Sequence, residues 1–281
     1  MTVVLVLVSA FFHALWNALL RVEPDKDRGL VGAIAFASLL ACVVAGVRWG
    51  LGQPPFATLE SFGWTLLAGA FEAVYFATLA RALVIGPLGA VYTISRGGAV
   101  LVVWPMSIVV FHEVVTTTSA SGSLLVLAGL VLSGIGAHGV RGTGDRSGVW
   151  WAVLCAISIA GYHLAYKAAL QTGGASSATF AVSLSLSAVI SFVRVDRAGL
   201  RALLRARWHR IALMGIVCGG SFLILMEALA LGGSGYVLTL RNTSVLFAAG
   251  LAWMIGERPR RIELVGAALV ATGAVLMSWS P

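Results

Sequence analysis

Charge is what this sequence has least of. Asp, Glu, Lys and Arg make up 11% of its 281 residues, where a soluble domain carries about 25%. With 59% hydrophobic residues and a mean hydropathy of +0.95, the chain lacks the polar surface a water-borne domain needs. Cysteine is scarce as well. Cys42, Cys155 and Cys218 stand singly inside apolar runs with no CxxC spacing, which excludes a disulfide scaffold and a cysteine metal set and leaves small buried hydrophobes. Nucleotide-handling motifs are missing too. Gly86-Pro87-Leu88-Gly89 and Gly232-Gly233 join hydrophobic segments and lack the strand and Lys of a phosphate-binding loop, and His112-Glu113 is not part of an HExxH. No catalytic residue set, cofactor motif or metal set is predicted. The net charge of +8 and pI ≈ 10.1 do not indicate nucleic acid, because the basic residues lie between apolar runs, as orientation signals beside a membrane do. The first 21 residues have neither a basic n-region nor a small-residue cleavage site and read as a mature span.

What the chain does have is long apolar runs. Ten are of membrane-spanning length: about 2–20, 29–48, 62–84, 88–111, 119–139, 149–169, 175–193, 209–231, 234–256 and 261–279. Only helices or closed barrels satisfy the backbone in lipid. These runs are continuous and do not alternate with period two, so they are helices. The predicted fold is an all-α membrane protein with ten transmembrane helices.

The ten runs are two copies of five. His13-Ala14-Leu15-Trp16-Asn17-Ala18 matches His163-Leu164-Ala165-Tyr166-Lys167-Ala168 at an offset of 150. Gly89, Val91 and Thr93 match Gly235, Val237 and Thr239 at 146, and Glu113 matches Glu257 at 144. Gly122, Gly129 and Gly136 match Gly266, Gly273 and Ser280, also at 144. A slow drift in offset is what small loop deletions give. Residues 1–140 and 147–281 are the predicted repeats. Five is odd, so the second copy enters the membrane from the opposite side, giving an inverted repeat of the kind secondary transporters use. The glycines of spans five and ten recur every seven residues and put small residues on one stripe. Packing within the bundle is the preferred reading of that stripe over a dimer seam.

Loop charge gives orientation. Odd-numbered loops hold Arg21, Lys26 and Arg28, then Arg141 and Arg146, then six arginines between Arg194 and Arg210, then Arg258, Arg260 and Arg261. Even-numbered loops hold only Arg48. The positive-inside rule therefore places the odd loops in the cytoplasm and both termini outside. The segment between spans seven and eight, RVDRAGLRALLRARWHR, has the pattern of a short amphipathic helix on an anionic leaflet.

Five plus five helices, the Trp16-Asn17 pair in span one, the run GPLGAVYTISRG (86–97), and a Glu ending spans four (FHE) and nine (GERPRR) resemble the drug/metabolite transporter superfamily, EamA-type branch. The resemblance covers essentially the whole chain. It implies a pseudosymmetric bundle around a central cavity, alternating access, and both termini in the cytoplasm, against the loop-charge count.

The candidate site residues are the polar groups that apolar spans do not need. Arg96 and Arg241 fall inside spans four and nine. A charge there costs at least about 2.5 kcal/mol to insert, which marks a functional position. Their planar forks suit a carboxylate, phosphate or phosphonate; the alternative is internal pairing with Glu72 or Glu227. Glu72 is a candidate for holding an amine or a proton. His13 and His163 match across the repeats and, with Glu227, are candidate proton relays. Trp16, Asn17, Tyr75, Tyr92 and Asn242 are candidate cavity-lining residues. The expected function is secondary transport, across the cytoplasmic (inner) membrane, of a small anionic or zwitterionic metabolite, amino-acid or aminophosphonate-like. Proton or ion coupling is expected, with lipid as the other partner and a monomer or homodimer as the unit. The alternatives are a cationic-amine or multidrug exporter, in which Glu72 dominates, and a lipid-carrier flippase.

Overall fold

A computed structural model describes residues 1–85, 88–138, 146–254 and 261–279. Arg141, Glu257, Arg258, Arg260 and Ser280 lie outside the described residues, as do Gly86-Pro87 and the side chains of Tyr92, Thr93 and Gly136. The described residues form eleven helices: α1 (Thr2–Arg21), α2 (Lys26–Gly50), α3 (Leu59–Ile85), α4 (Leu88–Phe111), α5 (Thr117–His138), α6 (Arg146–Gln171), α7 (Ser176–Val193), α8 (Arg197–Leu231), α9 (Ser234–Arg241), α10 (Ser244–Met254) and α11 (Arg261–Ser278). Seven are long and apolar enough to cross a membrane, and Thr117–Leu132 and Leu264–Met277 are shorter apolar stretches. The predicted ninth span is α9 followed by α10. Span nine, which the hydropathy reads as one helix, is interrupted at Asn242-Thr243, where Asn242 and Thr243 bond back three residues to the carbonyls of Thr239 and Leu240. Such a tightened turn inside a span often marks a hinge.

α8 is two helices merged across Arg207, whose φ of −139° and ψ of 23° are not helical. Its first part is the amphipathic segment expected from the sequence. Asp196 caps it by accepting from the N–H groups of Ala198 and Gly199. Those bonds, Gly199's foremost, hold the Asp196 carboxyl below its usual range.

Interhelical packing respects an exchange of the two halves. α1 packs on α8, and α3 on α6. α4 packs on α6, and α1 on α9 and α10; α5 and α11 pack on each other. Loops do the same. On one face the segment after α1 meets the segment before the span of α8, through Glu23–Arg207 (2.8 Å) and Arg28–Asp196 (3.6 Å). On the other face the loop before α3 meets the loop after α6: Ala57 N–H donates to Gly173 C=O (2.9 Å) and Ala175 N–H to Pro55 C=O (3.0 Å). Gly173 has φ +103°, and a Cβ there would stand 2.7 Å from that of Ala57. The first face carries the odd-numbered loops; the second carries the N-terminus.

Lipid gives helices no hydrophobic reason to associate, so small residues and hydrogen bonds do the work. Ser9 Oγ donates to Ser221 C=O (2.8 Å) and Ser221 Oγ to Ser9 C=O (2.9 Å), closing α1 on α8. The glycine stripe lies where α5 meets α11. A Cβ on Gly129 would reach the carbonyl oxygen of Gly266 at 2.5 Å, and one on Gly273 that of Gly122 at 2.5 Å. These glycines are therefore consumed inside the chain, as backbone contacts between its halves.

Candidate functional site

Mid-membrane positions on α1, α3, α4, α6 and α9 converge on one buried polar cluster. Arg241 is 0% exposed, Arg96 2% and Glu72 0%. Arg241, at the end of α9, donates from Nη2 to His13 Nδ1 (3.2 Å) and to Ser221 Oγ (3.2 Å), and its guanidinium lies 4.6 Å from the Phe222 ring centroid. Its Nε and Nη1 have no hydrogen-bond partner among the described residues. Neither arginine forms an ion pair with Glu72, whose two carboxylate oxygens are also without a hydrogen-bond partner. Glu72 lies beside the hydroxyls of Tyr166 and Ser183, which bond each other at 2.7 Å.

Donors surround His13. An indole N–H and a guanidinium N–H can only donate. Trp16 Nε1 (3.1 Å) and Arg241 Nη2 (3.2 Å) both lie at Nδ1, which serves them as an acceptor, while the Asn17 amide nitrogen stands 3.2 Å from Nε2. Asn17 donates to the His13 carbonyl (2.6 Å), which holds its side chain along α1. The fields of Arg96, Arg241 and His163 all act on this ring.

His163 occupies the matching place on α6, stacked on Tyr162 (4.9 Å, 29°), and neither of its ring nitrogens has a hydrogen-bond partner. Tyr75, Tyr162 and Tyr166 form an aromatic wall beside Glu72, with centroids 5.5 and 5.7 Å apart. Asn242, at the interruption of span nine, is fully buried with both amide atoms unbonded. Thus Arg96, Arg241, Glu72, His13, His163, Trp16, Asn17, Tyr75 and Asn242 come together. The Tyr92 side chain lies outside the described residues. Glu227 is placed elsewhere: it takes Arg48 Nη1 at 2.5 Å and Ser176 Oγ at 2.6 Å, partly exposed, at the N-terminal face. Sequence reasoning missed Ser221 and Phe222, since nothing in an apolar run marks one Ser or Phe as facing a particular arginine.

A cavity of about 630 Å³ opens on the N-terminal face, lined among others by Val3, Trp104, Ser107, Glu113, Lys167 and Tyr236. It stops short of the cluster. On α1 the same face runs Val3, Val6, Ala10, His13; on α4 it runs Ser107, Val103, Val100, Arg96. Each path is about 15 Å of helix. Val6, Ala10, Val100, Val103, Val237 and Leu240 are all buried and close the cluster from the cavity. Toward the opposite face, Trp16, Leu20, Phe76, Leu79 and Leu83 are buried as well.

The cavity rim holds a charged clasp. Glu113, ending α4, accepts from Ser234 N–H (2.5 Å), Ser234 Oγ (2.8 Å) and Gly235 N–H (3.2 Å), so a carboxylate caps the N-terminus of α9. Lys167 donates to the carbonyls of Leu229 (3.1 Å) and Gly232 (2.7 Å) at the C-terminus of α8. The Gly232-Gly233 link between α8 and α9 is thus gripped on both sides by charges of the sign its helix ends favour.

Residues 146–279 match the family model described as the EamA-like transporter family. No curated protein matches the sequence. A solved crystal structure of a protein superposes with a TM-score of 0.74 at 17% identity, covering 99% of this chain and 96% of that one. At that identity the likeness establishes the fold alone.

Proposed function

We propose, from the match of residues 146–279 to the EamA-like transporter family, that the chain is a multi-pass membrane transporter, carrying out secondary transport of a small anionic or zwitterionic metabolite, amino-acid or aminophosphonate-like, across the cytoplasmic membrane. Residues 1–140 and 147–281 are the two inverted repeats, and the cargo sits between them. The observation that carries this reading is Arg241: fully buried and, among the described residues, unpaired with any carboxylate and with two donor nitrogens lacking a partner. A guanidinium in lipid needs an anion or strong acceptors. His13 and Ser221 supply only part of that need.

In this proposal Arg241 and Arg96 hold the anionic group, and Glu72 holds the amine or a coupled proton. Trp16, Asn17, Tyr75, Tyr92 and Asn242 enclose the rest. His13 and His163 relay protons. The N-terminal cavity is the vestibule, and the aliphatic layer between it and the cluster is the gate that alternating access must part. Positive-inside charge would turn the vestibule outward.

A second reading has its own support. Glu72 beside Tyr75, Tyr162 and Tyr166 is an acidic group in an aromatic wall, the chemistry that takes organic cations. A thermal-shift screen of purified protein against amino acids, phosphonates and quaternary amines, followed by flux in proteoliposomes, separates the two. The anion reading predicts that Arg241→Ala abolishes uptake of the stabilising compound. Retained uptake, with loss only in Glu72→Gln, establishes the cation reading instead.

A further inference from the structure

The odd-loop face carries a second feature, remote from the polar cluster. An apolar groove of about 470 Å³ runs between α2 and α7 under the amphipathic first part of α8. Its walls include Val31, Phe36 and Leu39 of α2, Val189 and Phe192 of α7, and Leu200. From Val31 to Leu39 it extends about 12 Å down α2, from the loop face toward mid-membrane. Leu39, Val189 and Phe192 are strongly exposed, so the groove faces the surroundings of the bundle.

The mouth of this groove is cationic. Arg197 sits over the Phe192 ring, its guanidinium carbon 5.5 Å from the centroid, directly on a groove wall. Arg194, just past α7, lies instead in a separate pocket with Asp27, Arg81 and Ser191. On the amphipathic segment, Leu200 and Leu204 point into the groove while Arg201 flanks their stripe one turn from Arg197. Arg197 and Arg201 are exposed and form no ion pair among the described residues. Asp196, the acidic residue closest to them in sequence, is engaged by Arg28 and by its own helix cap. An unneutralised arginine group above an apolar channel that descends into the membrane matches one kind of molecule end to end: negative headgroup above, hydrocarbon chain below.

We propose that this groove is a binding site for an anionic phospholipid, its headgroup held by Arg197 and Arg201 and one acyl chain lying along α2 and α7. Bulk lipid would fill an apolar groove regardless of headgroup; the arginines make it selective. The site joins the amphipathic segment of α8 to the α2–α7 wall, so occupancy ties the two halves of the chain together on that face.

The test is native mass spectrometry of the full chain released from micelles containing equal amounts of phosphatidylglycerol and phosphatidylcholine. The expected result is preferential retention of phosphatidylglycerol. Arg197→Gln and Arg201→Gln should each weaken it about fivefold, the factor set by roughly 1 kcal/mol per surface arginine. Ala35→Trp, which fills the groove and leaves every charge, should abolish retention of that lipid. Both substitution types lie on exposed positions, so folding is preserved. Equal retention of the two lipids by the unmodified protein overturns the proposal. So does selectivity that survives Ala35→Trp, which would mean the arginines attract headgroups with no groove involved.

Discussion

His13 Nδ1 and Arg241 Nη2 stand 3.2 Å apart, a hydrogen bond that joins the first helix of the chain to the interrupted ninth span. It requires an unprotonated Nδ1, because a guanidinium cannot accept. Protonating His13 would replace an acceptor by a donor and set a second cation against Arg241. The bond is therefore the natural coupling point between a proton and the motion of α9. Acidification sufficient to protonate His13 is expected to release Arg241. Protection of α9 amides, taken relative to the intrinsic exchange rate at each pH, should fall at acidic pH, with that fall lost in His13→Gln. Protection independent of pH in the unmodified protein would falsify the coupling.

Arg241→Lys tests whether charge alone suffices. An ammonium group has no planar fork and cannot serve His13, Ser221 and the Phe222 face together. Transport is expected to fall at least about tenfold, the equivalent of one lost charge-assisted hydrogen bond of roughly 1.4 kcal/mol. Substrate flux in proteoliposomes measures it.

Glu72→Gln is expected to leave folding intact or improve it, because the carboxylate is buried and makes no ion pair. Thermal unfolding in detergent should move little or upward. Substrate-driven proton flux, read with a pH-sensitive dye inside proteoliposomes, should disappear.

The clasp at the α8–α9 link predicts a stability effect apart from transport chemistry. Glu113→Ala removes all three bonds to the N-terminus of α9 and should cost about 1–2 kcal/mol. Glu113→Gln, which keeps an acceptor, should cost about half of that. Both appear as a lowered Tm; a Tm unchanged in the alanine variant would show that the cap bears no load.

Gly129→Val should be among the more disruptive changes to the bundle. Its side chain meets the Gly266 carbonyl and Val270, forcing α5 away from α11. Overpacking of this kind costs about 1–3 kcal/mol, to be read as loss of monodisperse protein on size exclusion and a lower Tm. A dimer seam would instead give a folded, stable monomer.

The ten crossings, their helical nature and the recurrence of motifs between the halves were legible in the sequence because lipid imposes a one-dimensional rule. Backbone groups must be satisfied within each span, so length and hydropathy suffice to mark one, and a buried Arg96 or Arg241 announces itself by its cost. The tertiary structure decided the rest. That Arg241 faces His13 and Ser221 and not Glu72, that Glu227 serves Arg48 at the N-terminal face, and that Glu113 caps α9 all depend on which helix faces which. Facing is set by the close packing of small residues such as Gly129, Gly273, Ser9 and Ser221 across helices, and hydropathy does not record it. The turn at Asn242-Thr243 is hidden in the same way: the run 234–256 around it is apolar enough in aggregate to read as one helix, and only the three-residue bonding of the folded chain shows where span nine is divided.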